Sequence, residues 1–189
     1  MISCATLPMS GETACGDRCG WWDTPDKFIV AVADGLGHGP EAALAAEIAM
    51  ACIGSSLDEP LEAVFSRCDA RLQATRGAAL TVAVIQKSSG ITTIAAVGNI
   101  RTLLMTSQKD CRFGAARGIV GGGYRRLNSE QFTILPGDVL ALFSDGLDEF
   151  TDIRAAMLHT PDLAEDRAAS MLQSLADRND DAALLLYRH

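Results

Sequence analysis

Two patterns of apolar residues run through this chain, and the first predicts strands. Runs of apolar, β-branched residues bounded by turn residues are typical of strands buried on both faces. Seven segments have this pattern: 27–33, 80–85, Ile91–Val97, 101–106, 125–135, Val139–Phe143 and 182–187. The polar turn KSSG joins the second and third runs into a predicted hairpin, and Pro136-Gly137 predicts a type II turn.

The second pattern, apolar residues three and four positions apart, predicts helices. Pro40 suits the first turn of one helix, because a proline there loses no helical hydrogen bond. Asp58 and Pro60 open a second helix directly after it, and residues 164–175 predict a last one. Two helices therefore follow one another without a strand between them.

Strands joined by short turns, with helices in succession, favour an α+β fold over a doubly wound parallel sheet. The strand runs contain few polar residues, so both faces of each sheet are expected to be covered. We therefore expect two packed antiparallel β-sheets flanked by pairs of α-helices, a four-layer α-β-β-α sandwich. Residues 1–189 are expected to form a single domain, since a chain of this length buries a substantial core.

The formal net charge of −8 restricts the partners more than the fold. Surfaces that bind nucleic acid or anionic membranes carry clustered Lys and Arg, so we expect neither partner. The chain shows no signal-peptide pattern and no apolar stretch of ~20 residues, which predicts a cytoplasmic protein. The six cysteines lack a paired zinc spacing and are expected to be free thiols. A monomer is the expected state.

Aspartates lie at the ends of the predicted strands. Asp34 ends one strand in VADGLGHG, and Asp145 follows another in LALFSDGLDE. Asp180 and its neighbour open the last strand in RNDDAALLLY. Because the end of one antiparallel strand adjoins the start of the next, these acids can meet at one rim of a sheet. Asp17, in CGDRCGWW, can join them.

Carboxylates gathered without cations repel one another, and a bound metal would relieve that repulsion. Oxygen ligands alone are preferred by hard ions such as Mn²⁺ and Mg²⁺. Two such ions carry four positive charges, which would balance four aspartates: Asp17, Asp34, Asp145 and Asp180. Gly35 lacks a Cβ and can turn its carbonyl toward an ion. Two ions can activate a shared water for attack on a phosphoryl group, so the joint pattern predicts a phosphatase. A single Asp-Gly is more often an ordinary turn.

The order of these motifs resembles the metal-dependent 2C-type (PPM) serine/threonine protein phosphatases, especially their bacterial sporulation and stress-response branch. The matching pieces are CGD, VADGLGHG, GAALTVAV, AAVGN, RGIVGGG, LPGDVLALFSDGLDE and NDDAALLLY. Each piece alone is weak, but the ordered set is specific and covers nearly the whole chain. The resemblance implies a sandwich of two antiparallel sheets with the metals at one edge.

The resemblance also implies roles for the acidic residues. Asp34 would be the catalytic carboxylate that bridges two ions, Mn²⁺ or Mg²⁺, with the Gly35 carbonyl as a further ligand. Asp145 and Asp180 would complete the ligands of the other ion, and Asp17 would reach the ions through bound water. The implied partner is a phosphorylated protein substrate and, given the compact layout, a STAS-domain component of a stressosome.

Other residues near these motifs have two interpretations each. His38 is either a general acid that protonates the leaving oxygen or a loop histidine that holds the start of the helix. Arg18 either pairs with substrate phosphate or is simply solvated. The glycines at 121–123 form either a phosphate nest or a mobile turn. Asp181 is expected to orient Asp180.

Two other functions fit the same residues. A catalytically silent module would keep the fold and bind a phosphoprotein without cleaving it, although the retained acidic residues argue against this. A hydrolase of small phosphate esters is the second, because a fold does not by itself choose a substrate. An assay with manganese on an aryl phosphate and on a phosphorylated STAS protein separates these functions.

Overall fold

The computed structural model describes residues 1–148, 150–158 and 164–189. The strands are β1 (Ile2–Leu7), β2 (Asp17–Asp23), β3 (Lys27–Gly35), β4 (Ala78–Gln86), β5 (Ile91–Val97), β6 (Arg101–Met105), β7 (Asp110–Phe113), β8 (Gly118–Ile119), β9 (Gly123–Tyr124), β10 (Ser129–Thr133), β11 (Val139–Phe143) and β12 (Ala182–Arg188). The helices are α1 (Pro40–Gly54), α2 (Leu61–Leu72), α3 (Ile153–Leu158) and α4 (Arg167–Leu175). In the described part of the chain, no helix is long and apolar enough to cross a membrane.

Two antiparallel sheets of five strands each pack against one another within these residues. One sheet has the strand order β1-β12-β11-β6-β7 and is called the β12 sheet. The other has the strand order β10-β5-β4-β3-β2 and is called the β3 sheet. β8 and β9 form a separate short hairpin. The α+β fold with two antiparallel sheets is confirmed.

Each sheet buries side chains on both of its faces, as the continuous apolar runs predict. Along β3, Ile29, Ala31 and Ala33 pack with residues of α1 and α2, whereas Val30 and Val32 face the other sheet. The outer face of the β12 sheet packs against α3 and α4. The layers therefore follow the order α1 and α2, β3 sheet, β12 sheet, α3 and α4.

Local turn chemistry predicted several boundaries correctly. In the KSSG turn, the amide of Gly90 donates to the carbonyl of Gln86 at 2.8 Å, and β4 pairs antiparallel with β5. Gly137 has a φ of 92°, and the amide of Asp138 donates to the carbonyl of Leu135 at 3.0 Å, as a type II turn requires. β5 and β11 have the bounds that the sequence predicts.

The elements that the sequence pattern missed lie mainly at the edges of the sandwich. β1, β2 and β7 are edge strands with mixed polarity, because water covers part of each. The short helix α3 was also not predicted. The predicted strand 125–135 was too long, since β10 covers only Ser129–Thr133. β3 instead extends past its predicted end to Gly35, which pairs with Ala78 of β4.

All six cysteines are free thiols, as predicted. Cys52 of α1 and Cys68 of α2 are buried between the helices and the β3 sheet. Burial raises the pKa of the Cys68 thiol, so this residue behaves as a small apolar side chain.

Candidate active site

The structure brings the predicted acidic residues to one end of the sandwich. Asp17 at the start of β2 lies directly opposite Asp34 near the end of β3. Asp145 follows β11 and Asp180 precedes β12, and these strands are antiparallel neighbours in the other sheet. A hydrogen bond from Ser144 Oγ to Asp17 Oδ2, at 2.5 Å, joins the two sheets at this rim. The aspartates of both sheets therefore share one site, called the rim below, which contains Asp17, Asp34, Asp145 and Asp180.

The carboxylates at this rim repel one another. Burial, and then the charges of Asp181, Asp145 and Asp180, raise the pKa of Asp17 to about 7, although the Ser144 hydrogen bond opposes the shift. Burial and the neighbouring carboxylates, Asp17 first, raise the pKa of Asp34 to about 8. In the described residues, no Lys or Arg side chain pairs with either of them. The rim is therefore a concentration of negative charge that no described Lys or Arg neutralises in an ion pair.

Asp180 and Asp181 are adjacent in sequence but have different surroundings. Asp180 is exposed, and its Oδ1 accepts the backbone amide of Asp181 at 2.8 Å. The side chain of Asp181 is buried and accepts the amides of Met9 and Gly16, both at 2.8 Å. Asp181 therefore orients Asp180 through its backbone, and its carboxylate fastens the loop that leads into β2.

Ser144 and Asn99 also belong to this rim, although no role for either of them was predicted from the sequence. Besides its bond to Asp17, Ser144 Oγ accepts the amide of Ala183 at 2.8 Å. Asn99 Nδ2 donates to Asp145 Oδ2 at 2.7 Å. Both residues lie inside the quoted motifs, AAVGN and LALFSDGLDE, and that membership was the only available signal. Glu149 of the second motif lies outside the described residues.

The donor chemistry of the rim fits hard divalent cations. Every predicted ligand supplies oxygen, and the carboxylates repel one another in the absence of positive charge. No three Asp, Glu, His or Cys side chains of the described residues are grouped closely enough to form a metal site by themselves. Ser144, Asn99 and the Asp181 amide each donate a hydrogen bond to one oxygen of a carboxylate, those of Asp17, Asp145 and Asp180. Asp34 differs, because no described group donates a hydrogen bond to its carboxylate.

Gly35 lies where the end of β3 passes close to α1. A Cβ on this residue would lie 2.0 Å from the carbonyl oxygen of Ala42, so the close approach of the helix requires glycine. Its amide donates to the carbonyl of Gly16 at 3.1 Å. Packing against α1 is therefore a second reason for glycine at this position, and the role of the carbonyl as a metal ligand stays a prediction.

His38 and Arg18 both connect loops beside the rim. His38 Nδ1 lies 2.9 Å from Glu12 Oε1, in the loop before α1. This contact fits a histidine that holds the start of the helix, and the general-acid role stays a prediction. Arg18 donates to the carbonyls of Cys15 and Asp17 and to Glu47 of α1. Its guanidinium is therefore engaged with the protein itself.

Of the glycines at 121–123, Gly121 packs against α2 and the other two belong to the β8–β9 hairpin, so they do not form an open anion nest. The amide of Gly121 donates to Asp69 Oδ1 at 2.7 Å, and the amide of Gly122 donates to the carbonyl of Ile119. A Cβ on Gly121 would lie 2.5 Å from Leu72 Cβ. Two of the three amides already have protein acceptors.

A cavity of about 300 Å³ opens beside Asp34. Its wall includes Asn99, Arg117 and Gly118, together with the exposed Leu36. A larger cavity of about 410 Å³ lies at the other end of the β12 sheet, next to Met105 and Val139. The smaller cavity is the better candidate for substrate, because only this one of the two reaches the carboxylate cluster.

The family model described as Stage II sporulation protein E (SpoIIE) matches residues 24–189. The Phosphoserine phosphatase RsbX of Bacillus subtilis (strain 168) is 25% identical over 181 residues, which cover 95% of this chain and 90% of that protein. A chain solved in work on "The bacterial stressosome: a modular system that has been adapted to control secondary messenger signaling" is 32% identical. It superposes with a TM-score of 0.93 and covers 99% of this chain and 98% of its own.

A crystal structure of RsbX in complex with magnesium is 24% identical and superposes with a TM-score of 0.85. The match covers 97% of this chain and 92% of that one, and at this identity it shows the shared fold. The family match spans most of the chain, and the ordered acidic motifs lie on the rim of the matching sandwich. The chain therefore belongs to the SpoIIE family and is a phosphatase of the metal-dependent 2C type.

Proposed function

We propose that this chain hydrolyses phosphoserine or phosphothreonine on a signalling protein, with two hard divalent cations, Mn²⁺ or Mg²⁺, bound at the rim. The observation that supports this most directly is the pair Asp17 and Asp34. These carboxylates lie opposite each other across β2 and β3 and have raised pKa values, and no described Lys or Arg forms an ion pair with either of them. The similarity to a phosphoserine phosphatase supports the same reaction.

In this proposal Asp34, Asp145, Asp180 and the carbonyl of Gly35 hold the ions, and Asp17 contacts them through bound water. Such ions, when bound, lower the pKa of a water molecule and attract the phosphoryl oxygens. Ser144 holds Asp17 in place from the neighbouring sheet, and the Asp181 amide orients Asp180. The cavity beside Asp34 admits the phosphate ester to the rim.

We further propose a phosphorylated STAS-domain component of a stressosome as the substrate, and the cytoplasm as the place of action. The stressosome structure supports this choice, because it is 32% identical and matches nearly the full length of both chains. Six free thiols fit a reducing compartment.

Phosphate release tests the proposed reaction. The protein is incubated with Mn²⁺ or Mg²⁺ and either a phosphorylated STAS-domain protein or an aryl phosphate. We expect metal-dependent release from the phosphoprotein that a chelator abolishes. Binding of the phosphoprotein without release from either substrate would favour a silent binding module. Release from the aryl phosphate alone would favour a small-ester hydrolase.

The number of ions is tested separately by calorimetric titration of Mn²⁺ into chelator-treated protein. We expect a stoichiometry of two, which falls in the Asp34→Asn variant because the bridging carboxylate is lost. A stoichiometry of one in the unaltered protein would contradict the two-ion site while leaving the phosphatase assignment in place.

A further inference from the structure

The short hairpin of β8 and β9 places two arginines opposite each other. Gly118 pairs with Tyr124, and the next pair outward is Arg117 and Arg125. The amide of Arg125 donates to the carbonyl of Arg117 at 3.0 Å. Residues opposite each other in an antiparallel pair have neighbouring side chains, and like charges in these positions are destabilising. The hairpin therefore places two exposed arginines next to each other.

Neither arginine has an acidic partner in the part of the chain that the structure describes. Other arginines do find one, as the pairs Arg18–Glu47, Arg67–Glu59 and Arg76–Glu41 show. Exposed arginines without an acidic partner among the described residues also occur elsewhere, at Arg112 and Arg178, so the position of Arg117 beside the cavity is what distinguishes it. An anion that is not part of this protein would relieve the repulsion between Arg117 and Arg125.

The backbone holds Arg117 rigidly beside the carboxylate rim. The preceding residue, Ala116, exchanges hydrogen bonds with β5 and Gly98 at 2.8 and 2.9 Å. Val120, in the hairpin turn, exchanges two hydrogen bonds with Ala78 of β4, each at 3.0 Å. Arg117 lines the cavity of about 300 Å³ that contains Asp34. The backbone of Arg117 is therefore held beside the cavity, and its exposed side chain can reach a phosphate ester that enters there.

Arg125 faces a second depression, next to the cavity. It is about 640 Å³ in volume and is lined by Arg125 and Arg126, with one acid, Glu62, also on its wall. Two arginines thus extend the surface outward from the site, over an area much larger than a phosphate group. A protein segment on either side of a phosphorylated residue would cover such a surface, whereas a small phosphate ester would not.

We infer that Arg117 binds the phosphate of the substrate in the cavity beside Asp34, and that Arg125 contacts the phosphorylated protein segment next to it. This inference rests on the proposed function and adds the residues that recognise its substrate. The planar fork of Arg117 can donate two parallel hydrogen bonds to phosphoryl oxygens. A phosphomonoester carries a charge of about −1.5 to −2 at pH 7, so it is a suitable anionic partner for the Arg117 guanidinium.

The test compares Arg117→Met, Arg117→Lys and Arg125→Met with the unaltered protein. Steady-state kinetics are measured with a phosphoserine peptide and with an aryl phosphate. Arg117→Met is expected to raise KM for both substrates by about 10- to 100-fold, because a charge-assisted hydrogen bond to phosphate is lost. Arg117→Lys restores part of the affinity. Arg125→Met raises KM for the peptide more than for the aryl phosphate.

Lys109→Met is the matched control, because Lys109 is an exposed cation in the β6–β7 turn, at the far end of the β12 sheet. It should change KM by less than about twofold, as expected of a distant, screened charge. Inorganic phosphate provides a second readout, and its inhibition constant should rise in parallel with KM in Arg117→Met. The melting temperatures of both arginine variants should equal or exceed that of the unaltered protein.

Unchanged KM and phosphate inhibition in a folded Arg117→Met variant would overturn the inference while leaving the phosphatase assignment intact. If the unaltered protein released no phosphate from any ester, the proposed function would fail instead. Fluorescence anisotropy with the labelled phosphopeptide then decides the role of the arginine. Phosphate-dependent binding that Arg117→Met weakens would support phosphate recognition, and equal binding by both proteins would overturn it.

Discussion

At the scale of single residues, Asp34 is the aspartate of the rim whose ionised form is least stabilised by its neighbours. Its pKa is raised to about 8, and no described group donates a hydrogen bond to its carboxylate. Ser144, Asn99 and the Asp181 amide each stabilise one of the other acids. A carboxylate that lies among like charges and accepts no hydrogen bond from a described group is suited to binding a cation and unsuited to stabilising the fold.

Asp34→Asn is therefore expected to abolish phosphate release without unfolding the protein. The substitution removes a bridging charge from the proposed ions and also removes repulsion from the metal-free rim. The melting temperature of the metal-free variant should equal or exceed that of the unaltered protein. Asp26→Asn, at an exposed position before the other end of β3, is the control and should retain activity. Normal turnover in Asp34→Asn would contradict the assignment of this site.

Ser144→Ala tests the contact between the sheets. The substitution leaves the buried Asp17 carboxylate without its donor and the buried amide of Ala183 without its acceptor. We expect a loss of about 1–3 kcal/mol in the free energy of unfolding, measured by urea denaturation. The loss should be larger at pH 8 than at pH 5, because Asp17 is ionised at the higher pH. Ser88→Ala, in the exposed KSSG turn, is the control, and equal stability of both variants would refute the proposed contact.

At the scale of elements, the loop between β1 and β2 depends on a carboxylate from the start of β12. Asp181 accepts the amides of Met9 and Gly16 and so determines where β2 begins. The next residue after Gly16 is Asp17, one of the acids of the rim. Two elements far apart in sequence thus position one site residue.

Asp180→Asn and Asp181→Asn are expected to have different effects, because Asp180 belongs to the proposed metal site and Asp181 stabilises the loop next to it. Asp181→Asn places an amide nitrogen where an oxygen accepted a hydrogen bond, so one bond is lost at a buried position. It should lower the free energy of unfolding by about 1–3 kcal/mol. Asp180→Asn, at an exposed position, should keep this stability and lose phosphate release. Equal stability of the two variants in urea denaturation would contradict the division of roles.

At the scale of the whole molecule, the rim couples the stability of the metal-free protein to pH. Burial and repulsion raise the pKa values of Asp17 and Asp34 to about 7 and 8, above the unfolded value of about 3.9. Between these values the folded state retains protons that the unfolded state has released. The free energy of unfolding is therefore expected to fall as pH rises from about 4 to 8.

Mn²⁺ or Mg²⁺ should reverse that loss, because a cation stabilises the ionised carboxylates. The increase in melting temperature on adding either ion should be larger at pH 8 than at pH 5. Scanning calorimetry of chelator-treated protein, with and without metal, measures both effects. Asp34→Asn is the informative comparison and should reduce both the pH dependence and the metal response. An equal metal response at the two pH values would argue against ion binding by these acids.

The sequence by itself determined the layers, the central strands and the order of the acidic motifs. β5, β11 and the Pro136-Gly137 turn follow from local effects, namely continuous burial and the φ preference of glycine. The fold class and the family were predicted correctly for that reason. Edge strands such as β2 carry mixed polarity and left no comparable pattern.

Only the tertiary structure decided which side chains meet. Ser144 bonds to Asp17 across 127 positions of sequence, and Asn99 reaches Asp145 across 46. Arg117 and Arg125 become neighbours because a hairpin turns between them. Such contacts depend on strand register and on the stacking of two sheets. Neither is encoded in the polarity of a single segment, because each is set by packing between parts of the chain that are far apart in sequence.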